Sequence, residues 1–148
     1  GTALTVASVA GVVARIAWGA VSDRSGAPRA VLALIGFLMA AGSAAAALIT
    51  ATWPMVGVLA VAAALGATAI GWNGVYLSEV ARLAPAGETG RATGGCLFFT
   101  FVGVVILPFL FGWLQRATGS YAACFAAAAV VCTAVGALLL LGGRRGRA

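Results

Sequence analysis

The sequence predicts an all-α fold, a polytopic transmembrane helix bundle with five spans. Three observations predict it. The composition is 63% hydrophobic and 8% charged with a mean hydropathy of +1.10, more apolar surface than a water-soluble fold can hide. Residues 30–78, 92–115 and 117–143 carry no charge, and a spanning helix needs about 20 such positions. Most of the arginines that give the formal charge of +6 sit in the gaps between apolar runs, where they report orientation in a bilayer rather than nucleic-acid binding.

The first span covers 2–22 and ends in a polar turn, Gly19-Ala-Val-Ser-Asp-Arg-Ser-Gly-Ala-Pro-Arg29. The run 30–78 is too long for one helix. Thr50-Ala-Thr-Trp-Pro54 divides it into spans 31–50 and 54–78, with proline at a helix start and tryptophan at interface depth. The fourth span covers 92–115, and a kink is expected at Pro108, which cannot bond back to the Val104 carbonyl. The fifth covers 121–142. With the Asp23 turn in the cytoplasm, Arg24, Arg29, Arg82, Arg91, Arg144, Arg145 and Arg147 lie inside and Arg116 outside, as the positive-inside rule requires. The C-terminus is then cytoplasmic.

Arg15 is the candidate for substrate contact. It lies eight residues before Asp23, roughly 12 Å into the membrane, where an ionisable group is costly and marks a function by default. Ser8, Gly11, Arg15, Gly19 and Ser22 recur at helical spacing, so a small and polar stripe is expected to face the protein interior. In the third span Ala62, Gly66, Ala69, Asn73 and Tyr76 form a comparable stripe with Trp72 beside it. Asn73 precedes Glu79 by six positions, a depth of roughly 9 Å. A guanidinium fork suits carboxylate or phosphate, and asparagine and tyrosine add neutral hydrogen bonds. The expected substrate is therefore a small organic anion with Arg15 as countercharge, Asn73 and Tyr76 as ligands and Trp72 as cavity wall. The competing readings are that Arg15 pairs with a carboxylate elsewhere or snorkels, and that Asn73 and Tyr76 tie helices together. Phe98 and Phe99 read as apolar packing.

Gly19, Asp23, Arg24 and Gly26 fall in register on Gly-x-x-x-Asp-Arg-x-Gly, which resembles the cytoplasmic loop motif of the major facilitator superfamily; Ala27 and Pro28 replace its basic pair and Arg29 arrives late. Gly90-Arg91-Ala-x-Gly94 is similar to the loop after the fourth helix of a half in that superfamily. Pro108-x-x-x-Gly112 followed by Ala117-Thr-Gly-Ser-Tyr121 is similar to its passage from the eleventh helix to the twelfth. Gly11-Val-Val precedes Arg24 by the same thirteen positions as Gly103-Val-Val precedes Arg116, a faint echo of the inverted repeats in such transporters.

The resemblance covers essentially the whole chain and implies a partial fold of that superfamily. The spans would be helices eight to twelve, and the N-terminal half and helix seven would be missing from a chain that opens at Gly1 without methionine. It implies alternating access, with no enzyme activity and no cofactor. It also implies a cytoplasmic gate in which Asp23, Arg24 or Arg29, and Glu79 form a charge network, with Arg91 at the same surface. Arg15 takes a position similar to the arginine that monocarboxylate and oxalate transporters of the superfamily use in their eighth helix. The implied partners are the lipid bilayer, the missing half and the substrate, with no nucleic acid.

With no histidine, and with Asp23, Glu79 and Glu88 as the only acids, all near the surface, the chain offers no metal cluster and no triad. Cys96, Cys124 and Cys132 are not placed for a disulfide. A proton-coupling acid would have to lie in the missing half. A membrane scaffold or subunit, or an inactive remnant, would keep the same topology without needing Arg15 to face a cavity. Alanine richness and exclusive use of arginine point to a bacterial genome rich in guanine and cytosine, and so to the inner membrane.

Overall fold

The computed structural model describes residues 1–144; Arg145 and Arg147, assigned above to the Asp23 side, lie outside the described residues. Six helices follow one another: α1 Thr2–Ser25, α2 Pro28–Ala47, α3 Met55–Ala69, α4 Trp72–Leu83, α5 Thr89–Thr118 and α6 Tyr121–Arg144, with no strand among the described residues. Five segments are long and apolar enough to cross a membrane: Thr2–Ser25, Pro28–Ala47, Met55–Leu83, Thr89–Thr118 and Tyr121–Gly142. The third of them is two helices, because the chain turns at Ile70 and Gly71.

The connections follow from turn chemistry. Gly26 ends α1 in the left-handed region (φ 60°), its N–H bonded to the Ser22 carbonyl at 3.1 Å, and glycine takes that conformation without a Cβ penalty. Pro28 then opens α2 in its first turn, where a missing N–H costs nothing. Pro54 caps α3 in an extended conformation, and its neighbour Trp53 lies over Gly57. Gly119, at φ 65°, ends α5 as Gly26 ends α1.

Close packing comes from small residues. The most extensive pairings are α2 with α6 and α1 with α3. A Cβ on Gly36 would stand 3.5 Å from the Gly136 Cα, and one on Gly136 would stand 3.3 Å from the Ala33 carbonyl oxygen. The α1–α3 crossing is tighter still: a Cβ on Gly66 would collide with the Ala7 backbone, and one on Gly11 would meet Ile70 Cβ at 2.6 Å. Lipid tails are as apolar as leucine, so approach of this kind, rather than exclusion of water, holds membrane helices together. A small cluster of Val31, Ile35 and Val75, flanked by Trp18, Leu32 and Trp72, sits where α1, α2 and α4 meet.

Helix α5 stands apart. It touches α4 and α6 along short stretches and buries none of its residues. Phe98, Phe99, Phe101, Phe109 and Trp113 are exposed on it, a surface suited to lipid or to a neighbouring apolar helix. It continues as one helix through Pro108. At 30 residues it measures about 45 Å, longer than the hydrocarbon core, a mismatch that tilting accommodates.

Candidate functional site

The site is organised by the break between α3 and α4. Three local features produce it. The Thr68 hydroxyl donates back to the Ala64 carbonyl at 2.8 Å, a bond that loosens helical geometry. Ile70 is wedged against Gly11 of α1. Gly71 lies so close to the Ala67 carbonyl and to Trp18 that no Cβ fits. The carbonyls around the break find new donors: the Trp18 indole N–H donates to Ala67 at 3.0 Å and the Trp72 indole N–H to Ala69 at 3.0 Å. Such pairing matters where no water is available to substitute.

The break interrupts the expected stripe of the third span. Ala62, Gly66 and Ala69 belong to α3, whereas Asn73 and Tyr76 belong to α4. On α1 the buried positions are Gly11, Ala14 and Ser22, while Ser8 and Arg15 are exposed. Arg15 lies at the edge of the packed face and not within it. Its stem rests on α4: a Cβ on Gly74 would stand 3.5 Å from Arg15 Cγ. Arg15 therefore lies beside the residue that follows Asn73, and its guanidinium makes no hydrogen bond or ion pair with the described residues. Asn73 is half-buried. One turn further, the Tyr76 ring packs on Trp72 with centroids 5.2 Å apart, and its hydroxyl faces Cys96 and Thr100 of α5.

At the end of α4 the carboxylate of Glu79 is buried, its side chain 7% exposed, and held by two arginines. Arg82, one turn on, grips it with both prongs, Nε to Oε2 at 2.7 Å and Nη2 to Oε1 at 2.9 Å. Arg29, from the start of α2, approaches Oε1 with Nε at 3.5 Å. The contact with Arg29 ties α2 to α4, and the bidentate contact orients the carboxylate that makes it. Both guanidiniums are about half-exposed or more, so part of their charge is screened by solvent. Glu79→Gln keeps the shape and loses the charge. It is expected to lower stability by about 1–2 kcal/mol and to free the start of α2, measured by unfolding and amide exchange in lipid nanodiscs.

The remaining motif residues are not drawn into this cluster. Asp23 and Arg24 are exposed at the end of α1 and form no ion pair among the described residues. Arg91, in the first turn of α5, pairs with Glu88 at the start of the same helix at 3.6 Å. A Cβ on Gly19 meets nothing within 4 Å, so packing does not explain a glycine there, whereas the Gly26 turn does require one. Sequence reasoning missed two participants. Arg82 was recoverable from its three-residue spacing to Glu79, and Trp18 from its three-residue spacing to Arg15 on the same face of α1.

Two clefts of the bundle lie elsewhere. One, between α5 and α6, is lined by Leu107, Pro108, Phe111, Gly112, Gln115 and Tyr121; another borders Phe37 and Leu140. Neither includes Arg15, Asn73 or Tyr76.

The family model described as the Major Facilitator Superfamily matches residues 1–148. No curated protein and no solved structure matches the chain.

Proposed function

Because the chain belongs to the Major Facilitator Superfamily, a family of membrane transporters, we propose that it forms most of the second half of an alternating-access carrier for a small organic anion. In this reading its five spans are helices eight to twelve, and the first half and helix seven complete the carrier. The Asp23 end is cytoplasmic, as is the C-terminus, and the membrane is a bacterial inner membrane. Arg15 is the countercharge, and Asn73, Tyr76 and Trp72 line the same layer.

The observation that carries the reading is the placement of Arg15. A charge at that depth costs about 2.5–3.5 kcal/mol on insertion scales, yet this one has no carboxylate beside it among the described residues. Its stem lies on Gly74, next to Asn73. A cation kept in this position, with neutral donors nearby, suits a solute that brings its own negative charge. Alternating access follows from the family's architecture, in which two bundles rock about a midplane site. The Arg29–Glu79 contact ties two helices at the cytoplasmic surface, so its energy weights the inward-closed state and not substrate affinity.

Uptake into proteoliposomes carrying the full native protein tests the reading. Small mono- and dicarboxylates are expected to enter saturably and to compete with one another, while uncharged and cationic analogues of the same size neither enter nor compete. Saturable uptake of the uncharged analogues alone would refute the anion assignment. Absence of any uptake would favour a scaffold or an inactive remnant.

A further inference from the structure

We propose that Trp18 is a positioning residue for the Arg15 site: its indole N–H, bonded to the Ala67 carbonyl, fixes the direction in which α4 leaves the break and so holds the first turn of α4, which carries Asn73 and Gly74, against the Arg15 stem. Its effect on transport rests on the reading of Arg15 as countercharge, whereas its effect on the break does not.

Trp18 follows Arg15 by three positions and shares its side of α1. Its ring is half-buried against the cluster of Val31, Ile35 and Val75, so the indole is held before it bonds. The bond, at 3.0 Å, joins positions 49 apart in sequence. Its acceptor is the carbonyl that would take the Gly71 N–H if α3 ran on unbroken. Gly71 has ordinary helical angles (φ −71°, ψ −26°), so it is not glycine for conformational freedom. A Cβ there would meet the Ala67 carbonyl and stand 2.8 Å from Trp18 Cδ1. Glycine is the residue that lets the indole reach its acceptor. The Trp72 indole satisfies the neighbouring Ala69 carbonyl from within its own segment and fixes nothing to α1. Of the two indoles at the break, Trp18 alone joins it to the helix that carries Arg15. Two residues after Gly71 comes Asn73, and Gly74 then lies on the Arg15 stem, so a small change of direction at the break moves both.

Trp18→Phe keeps most of the ring and removes the donor; Trp113→Phe, at an exposed position of α5, is the control. In the full protein in lipid nanodiscs, amide exchange over residues 68–75 is expected to quicken about fivefold to tenfold in Trp18→Phe, the range set by loss of one hydrogen bond, and to leave α6 unchanged. In proteoliposomes the same variant is expected to raise the KM for a small carboxylate severalfold with the maximal rate within about twofold of wild type, while Trp113→Phe leaves KM unchanged. Unaltered exchange at 68–75 would overturn the proposal. So would quickened exchange with an unchanged KM, which would reduce the bond to a structural tie. If Trp18→Phe does not accumulate in the membrane, Gly71→Ala displaces the indole from the other side and is read in the same two ways. Failure of the Arg15 reading itself is seen separately, as uptake that survives Arg15→Ala.

Discussion

Gly66→Ala is expected to destabilise the protein by about 2–3 kcal/mol, the upper part of the range for overpacking. The added methyl would fall on the Ala7 backbone of α1, and on the other side of the same crossing Gly11 already lies against Ile70 and the Gly66 carbonyl oxygen, which a Gly11 Cβ would meet at 2.9 Å. Backbone cannot move aside as a side-chain tip can, so α1 and α3 must separate along the crossing. Separation removes the close packing that drives association in lipid, and it disturbs the break that Ile70 and Gly71 form against α1. Thermal unfolding in nanodiscs measures the loss. Gly94→Ala is the control: a Cβ there meets nothing within 4 Å, so the change is expected to be neutral or slightly stabilising, since alanine favours helix over glycine. Equal stability of the Gly66→Ala and Gly94→Ala proteins would contradict the crossing described above.

Arg15→Ala is expected to reduce uptake of small carboxylates at least a hundredfold, and Arg15→Lys by about tenfold. Lysine restores the charge but not the planar fork that grips two oxygens, whereas alanine leaves an anion with no countercharge in a medium of low dielectric. The thermal stability of Arg15→Ala separates binding from structure. The guanidinium has no partner among the described residues, so its removal is expected to leave unfolding unchanged or shifted upward. Loss of uptake with retained stability identifies a ligand contact. Loss of both points to an ion pair with the rest of the carrier.

Much of the fold is legible in the residues themselves. Runs free of charge mark the spans because lipid tolerates little else, and Thr50 to Pro54 marks a turn because proline and polar residues interrupt an apolar run. The division of the third span is not legible. Thr68, Ile70 and Gly71 form an ordinary stretch in an apolar helix, and Ile70 and Gly71 break it through contacts with Gly11 and Trp18, more than fifty positions earlier. The same limit applies at the site. Depth counted from Asp23 and Glu79 puts Arg15 and Asn73 in one layer, and the contact of Arg15 with Gly74 lies there. Which residue faces which is decided by helix rotation and by the direction of α4, neither of which residue spacing determines. At Glu79 the motif drew attention to partners on other helices, Arg24 and Arg29, while the shortest contact comes from Arg82 on its own helix.

The most direct test of alternating access at this layer is thiol labelling of Asn73→Cys in the full protein, with Cys96, Cys124 and Cys132 replaced by alanine. A membrane-impermeant reagent applied separately to each side of sealed vesicles is expected to label position 73 from both sides, as the layer opens to one and then the other. Saturating carboxylate is expected to slow both reactions. Labelling from one side only, or from neither, with no effect of the anion, would contradict a carrier whose site lies between Arg15 and α4.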